Sequence, residues 1–219
     1  MDLRLLLPYR TGNKDPGAPA ISDDRALLTQ LMEGGRHYQA AQEGRVFTGN
    51  AAAAGQVLPI FSGTAQKFGL WNPAGSGVDV ELIRLALTYV DTTGAAGGYV
   101  LALVANAPAN LGTGAAITAF TEGALGTDIF NARVGSGAAP KAKFTPSAAT
   151  VTAPIILRHL GLNQLVTTAA DATTVPWRAV EEFDGDLILP PGNAVFVAGN
   201  IATLSKWACS LTWKEKKAA

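Results

Sequence analysis

Lys206-Trp207-Ala208-Cys209-Ser210-Leu211-Thr212-Trp213-Lys214 is the stretch that decides the fold. Trp207, Cys209, Leu211 and Trp213 alternate with Lys206, Ala208, Ser210, Thr212 and Lys214. Side chains of a strand point alternately to opposite faces, so this spacing describes a strand with one apolar and one polar face. Val78, Val80 and Leu82 repeat the pattern, but Leu85, Leu87 and Tyr89 continue it on the other parity. The switch predicts a β-bulge near Ile83–Arg84, or a change of buried face. Two further runs, Tyr99–Ala105 and Ala194–Ala198, are apolar at nearly every position and fit strands buried on both sides.

Between these runs stand the breakers. Pro191-Gly192 fits the two central positions of a type II turn, so Leu187–Leu189 and Val195–Val197 should flank a tight corner. Asn72-Pro73 initiates a turn, and Gly75 and Gly77 permit positive φ before the strand from Val78 begins. The stretch 106–153 is rich in Ala, Gly and Thr with weak periodicity, as expected of long loops carrying short strands. From about residue 36 onward the alternation of strands and breaks predicts a mainly β fold, a sandwich or barrel, in one domain over 36–219.

The preceding residues read differently. Pro8, Pro16 and Pro19, with Gly12 and Gly17, forbid a continuous helix over 1–21 and describe an extended arm. Its apolar tip, Leu3, Leu5, Leu6, Leu7 and Tyr9, should pack on the domain or on a neighbour, which makes these residues the candidate partner-binding site. Ser22 is an N-cap type, Asp23 and Asp24 suit the positive end of a helix dipole, and Gly34 or Gly35 suits the stop. Leu27, Leu28, Leu31 and Met32 share a face at helical spacing, so a short helix is expected over 22–35.

Bulk composition narrows the function. The 219 residues balance 17 Lys+Arg against 17 Asp+Glu, which argues against nucleic acid as a partner. Charged residues make up 16%, below the roughly 25% of ordinary soluble domains, so much of the surface is expected to be covered by copies of the chain or by a partner. Leu5–Leu7 is too short for a signal sequence and no run approaches a membrane span, so neither secretion nor a membrane is expected. The lone Cys209 excludes an intrachain disulfide and reads as an inert core thiol, consistent with a reducing compartment.

The search for chemistry finds little. His37 and His159 are far apart, with no H-x-H pair and no zinc spacing, and His159 in an apolar context reads as a satisfied structural histidine. Neither a nucleophile elbow nor a Walker loop is present. The strings at 75–77, 112–114 and 135–137 read as β-turns rather than phosphate cradles. Glu181, Glu182, Asp184 and Asp186 could hold a hard cation or act as paired carboxylates, but acidic turns between strands are common. Lys214, Lys216 and Lys217 read as a solvated tail. The expectation is therefore a non-enzymatic chain with no catalytic, cofactor-binding or metal-binding residues and no cofactor.

Two segments carry a resemblance. One is Leu70-Trp71-Asn72-Pro73-Ala74-Gly75-Ser76-Gly77 with the strand from Val78 and Asp91-Thr92-Thr93-Gly94. The other is Leu187-Ile188-Leu189-Pro190-Pro191-Gly192 with the closing Leu211-Thr212-Trp213-Lys214-Glu215. Together they resemble structural proteins of tailed-bacteriophage virions, particularly capsid decoration (cement) proteins. The resemblance implies a jelly-roll-like antiparallel β-sandwich with an N-terminal arm. It further implies a place on the capsid surface after assembly in the host cytoplasm. The implied partners are the major capsid protein and the chain itself, as a dimer or trimer. Another virion part (head fibre, tail or baseplate) and a carbohydrate-binding module are the alternatives.

Overall fold

The computed structural model describes residues 36–51, 54–90, 97–106, 108–110, 113–114, 117–151, 154–165, 178–183, 185–200 and 206–218. The arm over 1–21, the helix expected over 22–35 and the candidate residues Leu3, Leu5, Leu6, Leu7 and Tyr9 lie outside them. A five-residue helix, α1 (Tyr38–Gln42), opens the described chain inside the region read as purely β, and Ala40 is its buried residue. Sixteen strands follow among the described residues. They are β1 (Val46–Asn50), β2 (Gln56–Val57), β3 (Ala65–Trp71), β4 (Val78–Tyr89), β5 (Gly97–Ala105), β6 (Pro108–Asn110), β7 (Thr113–Gly114) and β8 (Ile117–Phe120). The remainder are β9 (Ile129–Asn131), β10 (Lys143–Thr145), β11 (Ala149–Val151), β12 (Ile155–Leu165), β13 (Arg178–Glu182), β14 (Ile188–Leu189), β15 (Ala194–Gly199) and β16 (Lys206–Lys217).

The pairing is that of a jelly roll. One sheet runs β13-β4-β16-β1 and the other β12-β5-β15-β3, with neighbours antiparallel throughout. Taken in chain order, these eight strands fall into the interleaved pattern of two Greek keys that defines this sandwich. The expected jelly-roll-like fold is therefore present. Residues between β5 and β12 wrap one side of it. β9 adds to β1, while β10 and β11 add to β3 and β8 pairs with β11. The opposite side, where β12 and β13 end their sheets, carries no such addition among the described residues.

The core sits between the sheets because the alternating positions converge there. Trp207, Cys209, Leu211 and Trp213 of β16 are all buried, facing Leu101 and Leu103 of β5 and Val195 and Val197 of β15 in one cluster. Phe47 and Phe144 both stack with Trp213, with ring centroids at 5.9 and 6.4 Å. Such aromatic pairs add about 1 kcal/mol each beyond the area they bury. The parity switch in β4 is a bulge: Leu82 faces Trp213 and Arg84 faces Thr212, leaving Ile83 as the extra residue. Val80, Leu82, Leu85 and Leu87 thereby all reach the core. A second cluster, Val104, Ala194, Phe196 and Ala198 with Ala149 and Val151, covers the other face of β5 and β15. It explains why those strands read as continuous apolar runs.

Close ring contact sets two glycines in the sheets. A Cβ on Gly69 would stand 2.1 Å from the Phe196 ring, and one on Gly49 would stand 2.5 Å from Phe144. Beside Gly69, β3 slips register against β15, and Phe68 adopts a left-handed φ of 47°. A non-glycine residue reaches that region at a steric cost. Here the strained backbone delivers Phe68 to the inner core while Phe196 lies on Gly69 from the outer side.

Candidate functional site

The two resembling segments meet in space at one corner of the sandwich. Pro73 to Ser76 close a turn, with Ser76 N–H donating to the Pro73 carbonyl at 3.1 Å and Gly75 at φ 80°. Pro190 to Asn193 close a second turn, with Gly192 at φ 90°. This is the geometry that a type II turn demands of glycine. Asn72 locks the turns together. Its fully buried side-chain Nδ2 donates to the Val78 carbonyl at 2.7 Å and to the Leu189 carbonyl at 2.9 Å. Its backbone N–H donates to Asn193, and its carbonyl accepts from Gly192 at 2.7 Å. Asn106 completes the junction, donating to the Gly192 carbonyl and accepting from the Ala194 amide at 2.9 Å. These polar groups satisfy backbone atoms that burial would otherwise leave unpaired.

The acidic residues are held by arginines. Arg158 of β12 donates to Glu181 at 3.1 Å and to Asp186 at 2.6 Å, bridging the two sheets at their open side. Its guanidinium also lies 5.5 Å from the centroid of Phe183. Glu182 points elsewhere, toward Arg84 at 3.5 Å. Asp184 lies outside the described residues. Among the described residues, no group of three His, Cys, Asp or Glu is arranged to hold a metal. Cys209 is buried in the core, and burial pushes its thiol far above the usual range. A thiol so placed is the protonated, unreactive form.

Two sequence expectations need correction. His159 is an exposed residue of β12 with its ring edge toward Phe61 at 6.3 Å, not a buried structural histidine. The bulges of β12 explain this, because they turn the strand out of simple alternation. Lys214 is not part of a solvated tail. It belongs to β16, which continues to Lys217, and its ammonium pairs with Glu81 at 2.8 Å, both side chains being nearly covered. Arg36 and His37 approach the same place. A Cβ on Gly185 would stand 2.9 Å from Arg36 and 3.3 Å from the Glu81 carboxylate. Burial, reinforced by Lys214, lowers the His37 pKa.

The inward parity of β16 ends on a carboxylate. Glu215 is buried and accepts the amides of Lys141 and Ala142, each at 2.8 Å. Burial raises its pKa, against the lowering effect of those two amides. Near it, an open cleft of about 580 Å³ is lined by Arg45, Asp79, Glu81, Ile188, Lys216 and Lys217. The cleft mixes both charge signs on a sheet face. The described carboxylates and amides here hold backbone and cations in place.

Sequence reasoning missed several exposed aliphatic side chains. Ile155, Ile156 and Leu157 are each 43% exposed at the start of β12, and Ile188 is 53% exposed two residues beyond Asp186. The signal was three consecutive large aliphatics before Arg158, a run that alternation cannot bury on one face. No family model, curated protein or solved structure matches the chain.

Proposed function

We propose that this chain is a structural protein of a tailed-bacteriophage virion, a decoration protein that binds and stabilises the assembled capsid shell and acts as a homo-oligomer. The observation that carries the reading is the Asn72 junction. The two segments on which the resemblance rests are more than a hundred residues apart, yet Asn72 hydrogen-bonds one to the other across 117 positions. They form a single structural unit, as segments shared for a common shape should. The jelly-roll body supports the reading, because this sandwich supplies a rigid frame that offers edges and loops for assembly. The charge-poor composition supports it as well.

Co-sedimentation of the purified full-length protein with empty capsids of its own virus tests the proposal. Saturable binding to mature shells, with a raised temperature of shell disruption, is the expected result. Absence of the protein from purified virions by mass spectrometry would overturn it.

A further inference from the structure

One sheet is covered on its outer face along a single row. Strand register sets Val46, Lys214, Glu81 and Ile188 side by side across β1, β16, β4 and β14. Their chain neighbours Phe47, Trp213, Leu82 and Leu189 belong to the core, so the row points away from it. Val46 is nevertheless buried, and the Glu81–Lys214 pair is nearly so, whereas Ile188 is exposed. Residues 36–43 lie over the covered part. Ala40 of α1 is buried, and Arg36 approaches Gly185 together with the Glu81 carboxylate.

The two ends of α1 are held differently. Beyond its C-terminal end, Asn131 donates to the Gly44 carbonyl at 2.7 Å and the Arg45 amide to the Ala40 carbonyl at 2.9 Å. Arg133 donates to the Gln42 carbonyl at 3.0 Å. The N-terminal end has only His37, whose carbonyl accepts the Ala41 amide at 2.9 Å and whose side chain makes no cap bond. The His37 Nδ1 is buried without a hydrogen-bond partner among the described residues.

Such a seat fits a neutral ring and rejects a charged one. In imidazolium both ring nitrogens carry hydrogen, so Nδ1 would bring a charged donor to a place without an acceptor. Lys214 on β16 and the adjoining Arg36 repel the added charge, while Glu81 on β4 and Glu182 on β13 attract it. Glu81 is already paired with Lys214, and Glu182 faces Arg84. Burial and Lys214 prevail, and the His37 pKa is lowered. A positive charge at a helix N-terminus is unfavourable in addition.

We infer that His37 is an acid-sensitive latch: the neutral ring seats the first turn of α1 on β4 and β16, and its protonation opens that turn while Asn131 and Arg133 keep the far end in place. The sign follows from linkage. A histidine that resists protonation in the folded state contributes stability that is complete above the ordinary value of about 6.5 and is lost as pH falls below it. The latch is independent of capsid binding, and its test needs no partner.

His37 and His159 are the two histidines of the chain, so full-length His159→Gln leaves one ring to follow by proton NMR. That ring should titrate below the ordinary value. Amide exchange, corrected for its intrinsic pH dependence, should quicken at Ala41 by up to about tenfold between about pH 7.5 and pH 5.5, with Arg45 unchanged. His159→Gln should keep this response and His37→Gln should abolish it. A His37 ring that titrates at or above the ordinary value would overturn the inference. So would Ala41 exchange that is unchanged or slower in acid, or a response that survives in His37→Gln. The first two readouts use His159→Gln alone, so the test stands even if His37→Gln fails to fold.

Discussion

Glu81 and Lys214 stand directly opposite each other on β4 and β16, joined by a 2.8 Å ion pair with side-chain exposures of only 8% and 12%. Removing one partner takes away the contact that offsets the other's covered charge. Either Glu81→Gln or Lys214→Met should therefore destabilise the protein by about 3 kcal/mol, whereas the double replacement Glu81→Leu/Lys214→Met should cost far less. Urea unfolding of the four proteins gives the coupling directly. Additive losses would show that the pair acts as two independent surface charges.

The Asn72 junction makes a sharper demand. Asn72→Ala deprives the Val78 and Leu189 carbonyls of their shared donor in a fully buried site. A loss of about 2–4 kcal/mol is expected. Asn72→Asp should cost more, because an ionised carboxylate would face two carbonyl oxygens. Thermal unfolding measures both, and an aspartate as stable as wild type would contradict the assigned geometry.

Gly69 is tested by adding one carbon. The Cβ of Gly69→Ala would overlap the Phe196 ring, so overpacking of about 2 kcal/mol is expected. Phe196→Leu in the same background should recover part of that loss, although Phe196→Leu alone is destabilising. The sign reversal between backgrounds identifies the contact.

Glu215 predicts a pH dependence. Its folded pKa is raised by burial, so the folded state holds this proton more tightly than the unfolded chain. The stabilisation linked to that proton is complete below the unfolded value of about 4.3 and is lost as pH rises through the folded value. Glu215→Gln keeps an oxygen for the Lys141 and Ala142 amides but cannot ionise. Across the window above the ordinary glutamate range, wild-type stability should fall with pH relative to the variant. Denaturation curves from about pH 4 to pH 8 check this. Parallel profiles would place the charge of Glu215 in solvent.

Much of the body was legible because burial imposes period two on strands. The β16 alternation, the Ile83 bulge and the doubly buried β5 and β15 all follow from which parity is apolar. Turn chemistry was equally direct at Gly75 and Gly192, whose positive φ values only a few residue types accept. The rest depends on partners distant in the chain. Nothing near Lys214 announces Glu81, and nothing near Glu181 announces Arg158, so a covered pair looked like a solvated tail and a bridged acidic turn like a candidate cation site. The exposed run Ile155–Leu157 escaped notice because apolar residues are read first as core.

The pairing of β1 with β16 also governs how the protein comes into being. Thr48 and Thr212, hydrogen-bonded at 3.1 Å, are 164 positions apart. During synthesis the first strand of its sheet must wait, unpaired on that side, until residue 217 has left the ribosome. Folds dominated by such distant contacts fold slowly, and their half-made states expose apolar surface. Closure of this jelly roll therefore waits on β16, whose entry between β1 and β4 completes the sheet.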